Sequence, residues 1–336
     1  MARDPSLVPA LHPMDNSEVS PEWEVVSNAQ QQKDILTKKA IALPIEKFRE
    51  LPYRPPAFPA DAAIVGEEIN ITEEWVTVRD GTSIALRVYT PIPSPERSIL
   101  IFNSHGGGFV VGTTSTEEGQ NRVLTKNTRC ITVSVDYRRA PEYPYPYAVN
   151  DCFDALLWCK SNSEKLKIDP DRILLVGGSA GANISTVLAL KFRDLGIPGI
   201  IGQILNIPVT CHPEMFPADK YALNSYERNK DAAVLSSDLM RWFWKQYLPN
   251  PTDDPHASPL LEKSLAGLPQ TLIQVAGWDP LHDEGVAYAQ ALQEAGVPTT
   301  LKVFKGLPHA FYSHPQLPST AVYFTNMVEW VKEHFL

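Results

Sequence analysis

Short runs of apolar and β-branched residues recur along the chain, and stretches with helical periodicity separate most of them. Continuous apolar runs of this length are typical of strands that are covered on both faces of a sheet. Strands that alternate with helices predict a mostly parallel sheet with right-handed crossover connections. The predicted strands are residues 98–102, 130–135, 172–176, 200–207, 271–275 and 300–304, and the predicted helices are 149–162, 182–195, 283–295 and 320–334.

A hairpin precedes these units. Residues 73–78 and 83–89 alternate apolar and polar side chains on either side of Asp80-Gly81, a dipeptide that favours tight hairpin turns. Two antiparallel strands added to the six later ones give an α/β fold. Its sheet is expected to have eight strands, mostly parallel, with helices on both faces.

Two regions do not follow the alternation. Residues 1–65 are rich in proline and contain one predicted helix, at 27–42. Residues 208–254 contain several tyrosine and tryptophan residues but no convincing strand, which indicates a helical insertion. Together they predict a cap over the sheet; an ordinary helical connection with packed aromatic residues is the alternative. The expected division is a cap segment and lead-in at 1–70, the α/β core at 71–207 and 255–336, and a cap insertion at 208–254.

Composition and charge exclude some partners and locations. With 336 residues, 43% of them hydrophobic, the chain can bury a large core. A formal net charge of −9 and the lack of long Lys or Arg runs argue against a nucleic-acid partner. No apolar stretch is long enough to span a membrane, and residues 1–10 have no signal-peptide core. The four cysteines form no C-x-x-C pair, which predicts a cytoplasmic chain with reduced thiols.

The strongest candidate for chemistry is a glycine-rich turn around one serine. Gly177-Gly178-Ser179-Ala180-Gly181 contains the G-x-S-x-G pattern, follows a predicted strand and opens a predicted helix. At such a corner the glycines let the chain turn sharply and leave the serine exposed in a strained elbow. We therefore predict that Ser179 is a nucleophile. The alternative is a glycine-rich helix start with a capping serine.

Downstream of Ser179, one aspartate and one histidine are well placed to activate it. A serine hydroxyl needs a base, and the base needs an orienting group. Asp279 and His309 each follow a predicted strand, so both should emerge at the sheet edge that carries Ser179. Their order along the chain is the order typical of this fold plan. His314 is a weaker alternative for the base, and Asp283 for the acid, although helix capping fits Asp283 better.

A second glycine cluster, His105-Gly106-Gly107-Gly108, follows another predicted strand. Acyl transfer needs backbone N–H groups that point at the oxyanion, and consecutive glycines let the main chain approach the substrate. We expect Gly107 and Gly108 to supply two donors and Ala180 a third. The alternative for the glycines is a flexible turn, and His105 is expected to have a structural role.

These motifs together resemble the hormone-sensitive-lipase family of esterases. The resemblance extends over residues 70–336 and implies the α/β-hydrolase fold with a helical cap. The elbow departs at Gly178 and Ala182 from the sequences Gly-Asp-Ser-Ala-Gly-Gly and Gly-Thr-Ser-Ala-Gly that are common in the family. The matching segments are His-Gly-Gly-Gly at 105–108, Asp-Tyr-Arg-Arg-Ala-Pro-Glu at 136–142, Gly-x-Ser-Ala-Gly at 177–181, Asp-Pro-Leu-x-Asp-Glu at 279–284 and the loop histidine at 309. The implied residues are Ser179, Asp279 and His309 for the triad and Gly107, Gly108 and Ala180 for the oxyanion hole.

The expected function is hydrolysis of a carboxylic ester through an acyl-enzyme. The same residues would serve an acyltransferase, a lactonising enzyme or a thioesterase, because the cap and its exclusion of water select the acyl acceptor. A ligand-binding receptor is a third alternative, which the presence of His309 disfavours. No motif indicates a metal ion or another cofactor.

The expected partner is a small-molecule ester with a short- to medium-chain acyl group or a compact natural product. Phe109, Trp242 and Phe243 are candidates for an apolar acyl pocket. Ordinary core packing of these aromatic residues is the alternative. An exposed last strand of the sheet would also allow a homodimer.

Overall fold

The computed structural model describes residues 17–51 and 57–336, and its centre is one eight-stranded sheet. The strands are β1 Ile69–Thr77, β2 Ser83–Pro91, β3 Ser98–Ser104, β4 Ile131–Val135, β5 Ile168–Gly178, β6 Ile200–Asn206, β7 Gln270–Trp278 and β8 Thr299–Pro308. They lie in the order β1-β2-β4-β3-β5-β6-β7-β8. The pairs β1–β2 and β2–β4 are antiparallel and all the others are parallel. The predicted mostly parallel sheet is confirmed.

Helices cover both faces of this sheet. Helices α4, α6 and α9 pack on one face, and α3 and α10 pack on the other. The α-helices of the described residues are α1 Glu24–Ala40, α2 Ile45–Arg49, α3 Glu118–Thr128, α4 Tyr147–Ser161, α5 Ser163–Leu166, α6 Ala180–Asp194, α7 Ser225–Arg228, α8 Ser237–Tyr247, α9 His282–Glu294 and α10 Pro318–Phe335.

Strand β3 shows why the sequences of the central strands are continuous apolar runs. Its side chains alternate between the two faces, as in any strand. Leu100 and Phe102 belong to the hydrophobic core under α4, α6 and α9. Ile99 and Ile101 belong to the core under α3 and α10. Because both faces are covered, every position along the strand must be apolar or satisfied by hydrogen bonds.

Helix α3 is the main element that the hydrophobic pattern did not predict. Its sequence is mostly polar, and its buried positions include Gln120, Asn121 and Thr125 as well as Val123 and Leu124. An apolar periodicity of 3.6 residues is therefore weak in this segment. The helix is nevertheless held against α10 and the sheet, where the Tyr323 hydroxyl donates to Gln120 at 2.9 Å and the Thr125 hydroxyl donates to Thr132 at 2.8 Å.

The N-terminal segment and the insertion at 208–254 touch each other on the described residues. The Val234 N–H donates to Asp34 Oδ1 of α1 at 3.2 Å. The rings of Phe48 and Trp242 lie 4.5 Å apart between centroids. Residues 1–16 and 52–56 of the expected cap segment lie outside the described residues. None of the helices in the described part of the chain is long and apolar enough to cross a membrane.

Helix α8 is the longest helix of that insertion, and it is amphipathic. Its first turn is capped by Ser236, whose side-chain oxygen accepts a hydrogen bond from the Leu239 N–H at 3.2 Å. Its buried apolar positions recur at three- and four-residue intervals, which puts them on one face. These positions are Leu239, Met240, Phe243, Trp244 and Tyr247.

Candidate active site

Ser179 occupies the sharp turn between β5 and α6. Its φ of 54° and ψ of −118° lie outside the regions that non-glycine residues ordinarily adopt. The turn needs a glycine at 177, since a Cβ there would lie 2.6 Å from the Ala182 nitrogen. The Ser179 N–H donates to the Asn206 carbonyl of β6 at 2.8 Å, which fixes the turn on the sheet.

The structure brings Ser179, His309 and Asp279 together in one hydrogen-bonded series. The His309 Nε2 atom lies 3.0 Å from Ser179 Oγ, and its Nδ1 atom lies 2.7 Å from Asp279 Oδ2. The other Asp279 oxygen accepts a hydrogen bond from the Leu281 N–H at 2.9 Å. All three side chains are buried. This is the geometry of a nucleophile, a base and a group that orients the base.

The two alternative residues lie elsewhere. His314 packs edge-on against Trp23 with ring centroids 5.2 Å apart, and burial lowers its pKa to about 4. Asp283 accepts hydrogen bonds from the Asn224 and Ser225 N–H groups at 2.8 and 2.9 Å. Its carboxylate therefore ties the insertion to the start of α9.

The glycine cluster after β3 forms a loop with two left-handed positions. Gly107 has a φ of 121° and Gly108 a φ of 59°, so glycine is required at both. A Cβ on Gly108 would overlap the ring of Phe243. Among the described residues, the Gly107 and Gly108 N–H groups donate to no protein acceptor. They are therefore available to a substrate oxygen.

His105 packs against this loop and helps to hold its conformation. Its Nδ1 atom lies 2.7 Å from the Gly106 carbonyl oxygen, and its ring stacks on Tyr137 at 4.1 Å. The Tyr137 hydroxyl donates to the His105 carbonyl at 2.7 Å. Complete burial lowers the pKa of His105 to about 3, so the imidazole is neutral at ordinary pH.

The three predicted pocket residues have different surroundings. Phe109 is fully buried and stacks on Tyr247 with ring centroids 3.7 Å apart. Trp242 packs on Phe48 at the edge of the insertion. Phe243 meets the glycine loop, since a Cβ on Gly108 would overlap its ring. The structure therefore places Phe243 next to the candidate oxyanion site.

A cavity of about 570 Å³ lies between α1 and residues 231–239 of the insertion. Trp278, which directly precedes Asp279, belongs to its wall, together with Trp23 and Leu239. Neither Ser179 nor Phe243 lines it. Within the described residues, no group of three His, Cys, Asp or Glu side chains is arranged to hold a metal ion.

Two residues behind Asp279 were missed by the sequence analysis. The Asn229 side-chain amide donates to the carbonyl oxygens of Gly277 and Asp279 at 3.1 and 2.9 Å, and so anchors the loop that carries Asp279. Glu284 is fully buried, and one of its oxygens accepts a hydrogen bond from the Thr210 N–H at 2.7 Å. Asn229 belongs to no local pattern that indicates such a contact, and Glu284, although it ends the Asp-Pro-Leu-x-Asp-Glu segment at 279–284, was assigned no role from the sequence.

Glu284 is expected to make the free energy of unfolding fall as the pH rises. Burial raises the pKa of its carboxyl from 4.5 to about 8, so the folded state holds the proton more tightly than the unfolded state. Stability is then lost as the pH rises between these two values. Urea unfolding at several pH values should show a smaller loss in Glu284→Gln, which is neutral throughout. Glu294→Gln, at the exposed end of the same helix, is the control, and parallel curves for Glu284→Gln and the parent would contradict the prediction.

Comparison with known proteins identifies the family. A sequence profile of the alpha/beta hydrolase fold matches residues 101–313, and the chain belongs to this family of enzymes, as predicted. An arylesterase of Saccharolobus solfataricus is 34% identical over 257 residues, which cover 76% of this chain and 81% of the relative. Carboxylesterase NlhH of Mycobacterium tuberculosis is 36% identical over 251 residues, with 73% and 76% covered. The crystal structure of vibralactone cyclase has a TM-score of 0.82 at 28% identity, with 96% of each chain covered.

Proposed function

We propose that the protein hydrolyses carboxylic esters through an acyl-enzyme formed on Ser179. Its esterase relatives support carboxylic ester hydrolysis as the reaction class. The observation that carries the serine mechanism is the series of contacts from Ser179 Oγ to His309 Nε2 at 3.0 Å and from His309 Nδ1 to Asp279 at 2.7 Å. A buried serine, histidine and aspartate in this geometry can activate the serine hydroxyl.

In the proposed reaction, Ser179 Oγ attacks the ester carbonyl carbon while His309 Nε2 takes the hydroxyl proton. Asp279 holds the imidazole in the required tautomer and stabilises its positive charge. The tetrahedral intermediate collapses, the alcohol leaves with the proton from His309, and the acyl group stays on Ser179. Water then attacks the acyl-enzyme by the same proton transfers, and the acid is released.

The N–H groups of Gly107, Gly108 and Ala180 are the proposed oxyanion donors. Two of them belong to the loop after β3, and the third lies at the N-terminus of α6, where the helix dipole favours negative charge. Each such donor is typically worth about 10²–10³ in kcat. The left-handed glycines at 107 and 108 support this role, because neither N–H group has an acceptor among the described residues.

The acyl group is proposed to be short to medium in length, or part of a compact natural product. Phe243 supports this size, because its ring lies directly against Gly108 of the proposed oxyanion loop. A large aromatic side chain at this point limits the space beside the reacting carbonyl. A role of Trp242 and Phe109 in the acyl pocket remains a prediction, and so does the cap formed by residues 1–70 and 208–254. The cytoplasmic location and the homodimer also remain predictions.

Intramolecular acyl transfer to form a lactone is the second candidate. The similarity to vibralactone cyclase over 96% of both chains favours it. The triad chemistry is unchanged when a hydroxyl of the acyl chain replaces water as the acceptor. Mass spectrometry of the product from a hydroxyacyl donor distinguishes the free acid from the lactone.

The direct test of the serine mechanism is covalent labelling. A fluorophosphonate probe is expected to modify Ser179, because the probe reacts with an activated serine. Peptide mass spectrometry locates the adduct, and Ser179→Ala and His309→Ala should both abolish it. Acetate, butyrate and octanoate nitrophenyl esters, measured in parallel, define the acyl length. Folded protein that takes up no label would refute an activated Ser179, and best turnover beyond about a dozen carbons would refute the proposed acyl size.

A further inference from the structure

The space beside the nucleophile turn is filled by a carboxyl group from a distant part of the chain. Position 178, between Gly177 and Ser179, is glycine. A Cβ on Gly178 would lie 2.6 Å from Glu117 Oε1 and 2.8 Å from the Tyr312 hydroxyl. Glycine at 178 therefore leaves room for the side chain of Glu117, which directly precedes α3.

The same carboxyl group also holds the oxyanion loop. The Gly106 N–H donates to Glu117 Oε1 at 3.2 Å. A Cβ on Gly106 would lie 3.4 Å from this oxygen and 2.9 Å from the Gly178 carbonyl oxygen. One carboxylate oxygen thus contacts both the loop that carries Gly107 and Gly108 and the turn that carries Ser179.

Burial of the Glu117 carboxyl group is unfavourable for the folded state. Its side chain is almost wholly buried, and its second oxygen makes no hydrogen bond of ordinary geometry with the described residues, although the Asn103 side chain lies near enough to lower the pKa of the carboxyl. A buried polar atom without a partner destabilises the folded state. If the side chain served only to fill space, an apolar side chain of similar volume would give a more stable folded state.

We propose that Glu117 is a positioning residue that fixes the oxyanion loop at residues 106–108 relative to the turn at Gly178 and Ser179. The proposal rests on the proposed ester hydrolysis and deepens it. The carboxyl touches neither substrate nor the reacting atoms. It acts through the Gly106 N–H, and so keeps the amides of Gly107 and Gly108 directed at the site where Ser179 attacks.

The neutral form of the carboxyl suffices for this role. Burial raises the pKa of Glu117 to about 7, with the Gly106 N–H acting in the opposite direction. A substantial neutral fraction is therefore present at neutral pH. Glutamine has the same shape, is neutral and keeps the acceptor oxygen, so it reproduces the contact with Gly106, whereas alanine removes it.

The test compares Glu117→Ala, Glu117→Gln and Glu118→Ala by steady-state ester kinetics and thermal unfolding. A misplacement of about 1 Å at a reacting group costs about 10²-fold in rate. We expect Glu117→Ala to lose about this much in kcat with little change in KM, and Glu117→Gln to recover most of it. Glu118→Ala loses ion pairs to Arg87 and Arg122, so it should lower the unfolding temperature without this loss of kcat.

Coupling to Gly178 is the second measurement. Gly178→Ala should lower kcat in the parent, where the new methyl group meets Glu117, and should cost less in the Glu117→Ala background. The proposal would be overturned if the losses of kcat in Gly178→Ala and Glu117→Ala were simply additive. It would also be overturned if kcat were unchanged in Glu117→Ala, if Glu117→Gln were no better than Glu117→Ala, or if Glu118→Ala lost as much kcat as Glu117→Ala. If the folded parent protein hydrolysed no ester, the proposed function would be refuted instead. Fluorophosphonate labelling of the parent shows independently whether Ser179 is activated, and so distinguishes the two failures.

Discussion

Replacement of Ser179 by alanine is expected to lower kcat by about 10⁶-fold, which is the typical cost of removing a catalytic serine. The variant keeps His309, Asp279 and the oxyanion loop, but it has no hydroxyl to form the acyl-enzyme. Alanine adds no atom to the turn, and the Ser179 N–H bond to Asn206 remains possible. The measurement is the rate of nitrophenyl ester hydrolysis with enough protein to detect a loss of this size.

Ser185→Ala is the matched control for this variant. Ser185 lies on α6, the helix that follows Ser179, is fully buried and donates to the Val176 carbonyl at 3.0 Å. Its loss removes one hydrogen bond, worth about 1 kcal/mol of stability, and should leave ester hydrolysis in place. If Ser179→Ala retained more than about a thousandth of the parent kcat, catalysis would not run through a covalent step on this residue.

The sheet was predictable because its strands are covered on both faces. The apolar runs that became β3, β4 and β6 have no position that can be polar without a buried partner, and the pattern is strong for that reason. The ends of strands were less accurate. β5 begins at Ile168 and β8 ends at Pro308, both beyond the apolar run, because Ile168 still pairs with Ser98 of β3 and Pro308 with Trp278 of β7.

The residues of the candidate site were predictable where the chemistry needs a local motif. The turn at Ser179 requires glycines next to it in sequence, and Asp279 and His309 follow strands whose ends meet at one edge of the sheet. Glu117 and Asn229 carry no such pattern. Glu117 meets Gly106 and Gly178 only because α3 packs on this side of the sheet, and a long-range contact of that kind leaves no periodic signal.

Phe109 and Phe243 approach the glycine loop from different parts of the sequence. Phe109 directly follows the loop. The chain reverses at the loop, where the Val110 N–H donates to the Gly107 carbonyl at 3.0 Å, and Phe109 itself has a φ of 64°. This conformation puts the ring against Tyr247. Phe243, which is distant in sequence, packs on the loop.

Replacement of Asp279 by asparagine is expected to lower kcat by about 10⁴-fold with little effect on folding. The asparagine oxygen can still accept from the Leu281 N–H, which bonds Asp279 at 2.9 Å. Its amide nitrogen would then face His309 Nδ1 and donate to it. The histidine would be held in the tautomer with the proton on Nε2, where it cannot accept the proton of Ser179.

Asp283→Asn is the control that distinguishes this effect from a general loss of charge behind the site. Asp283 lies four residues away, accepts N–H bonds from Asn224 and Ser225, and pairs with Arg228 at 3.2 Å. Its replacement should lower the unfolding temperature and leave kcat within a few fold of the parent, about the range of a change away from the reacting groups. Equal losses of kcat in both variants would mean that the negative charge acts at long range, whereas a loss confined to Asp279→Asn would assign the orientation of His309 to this carboxylate.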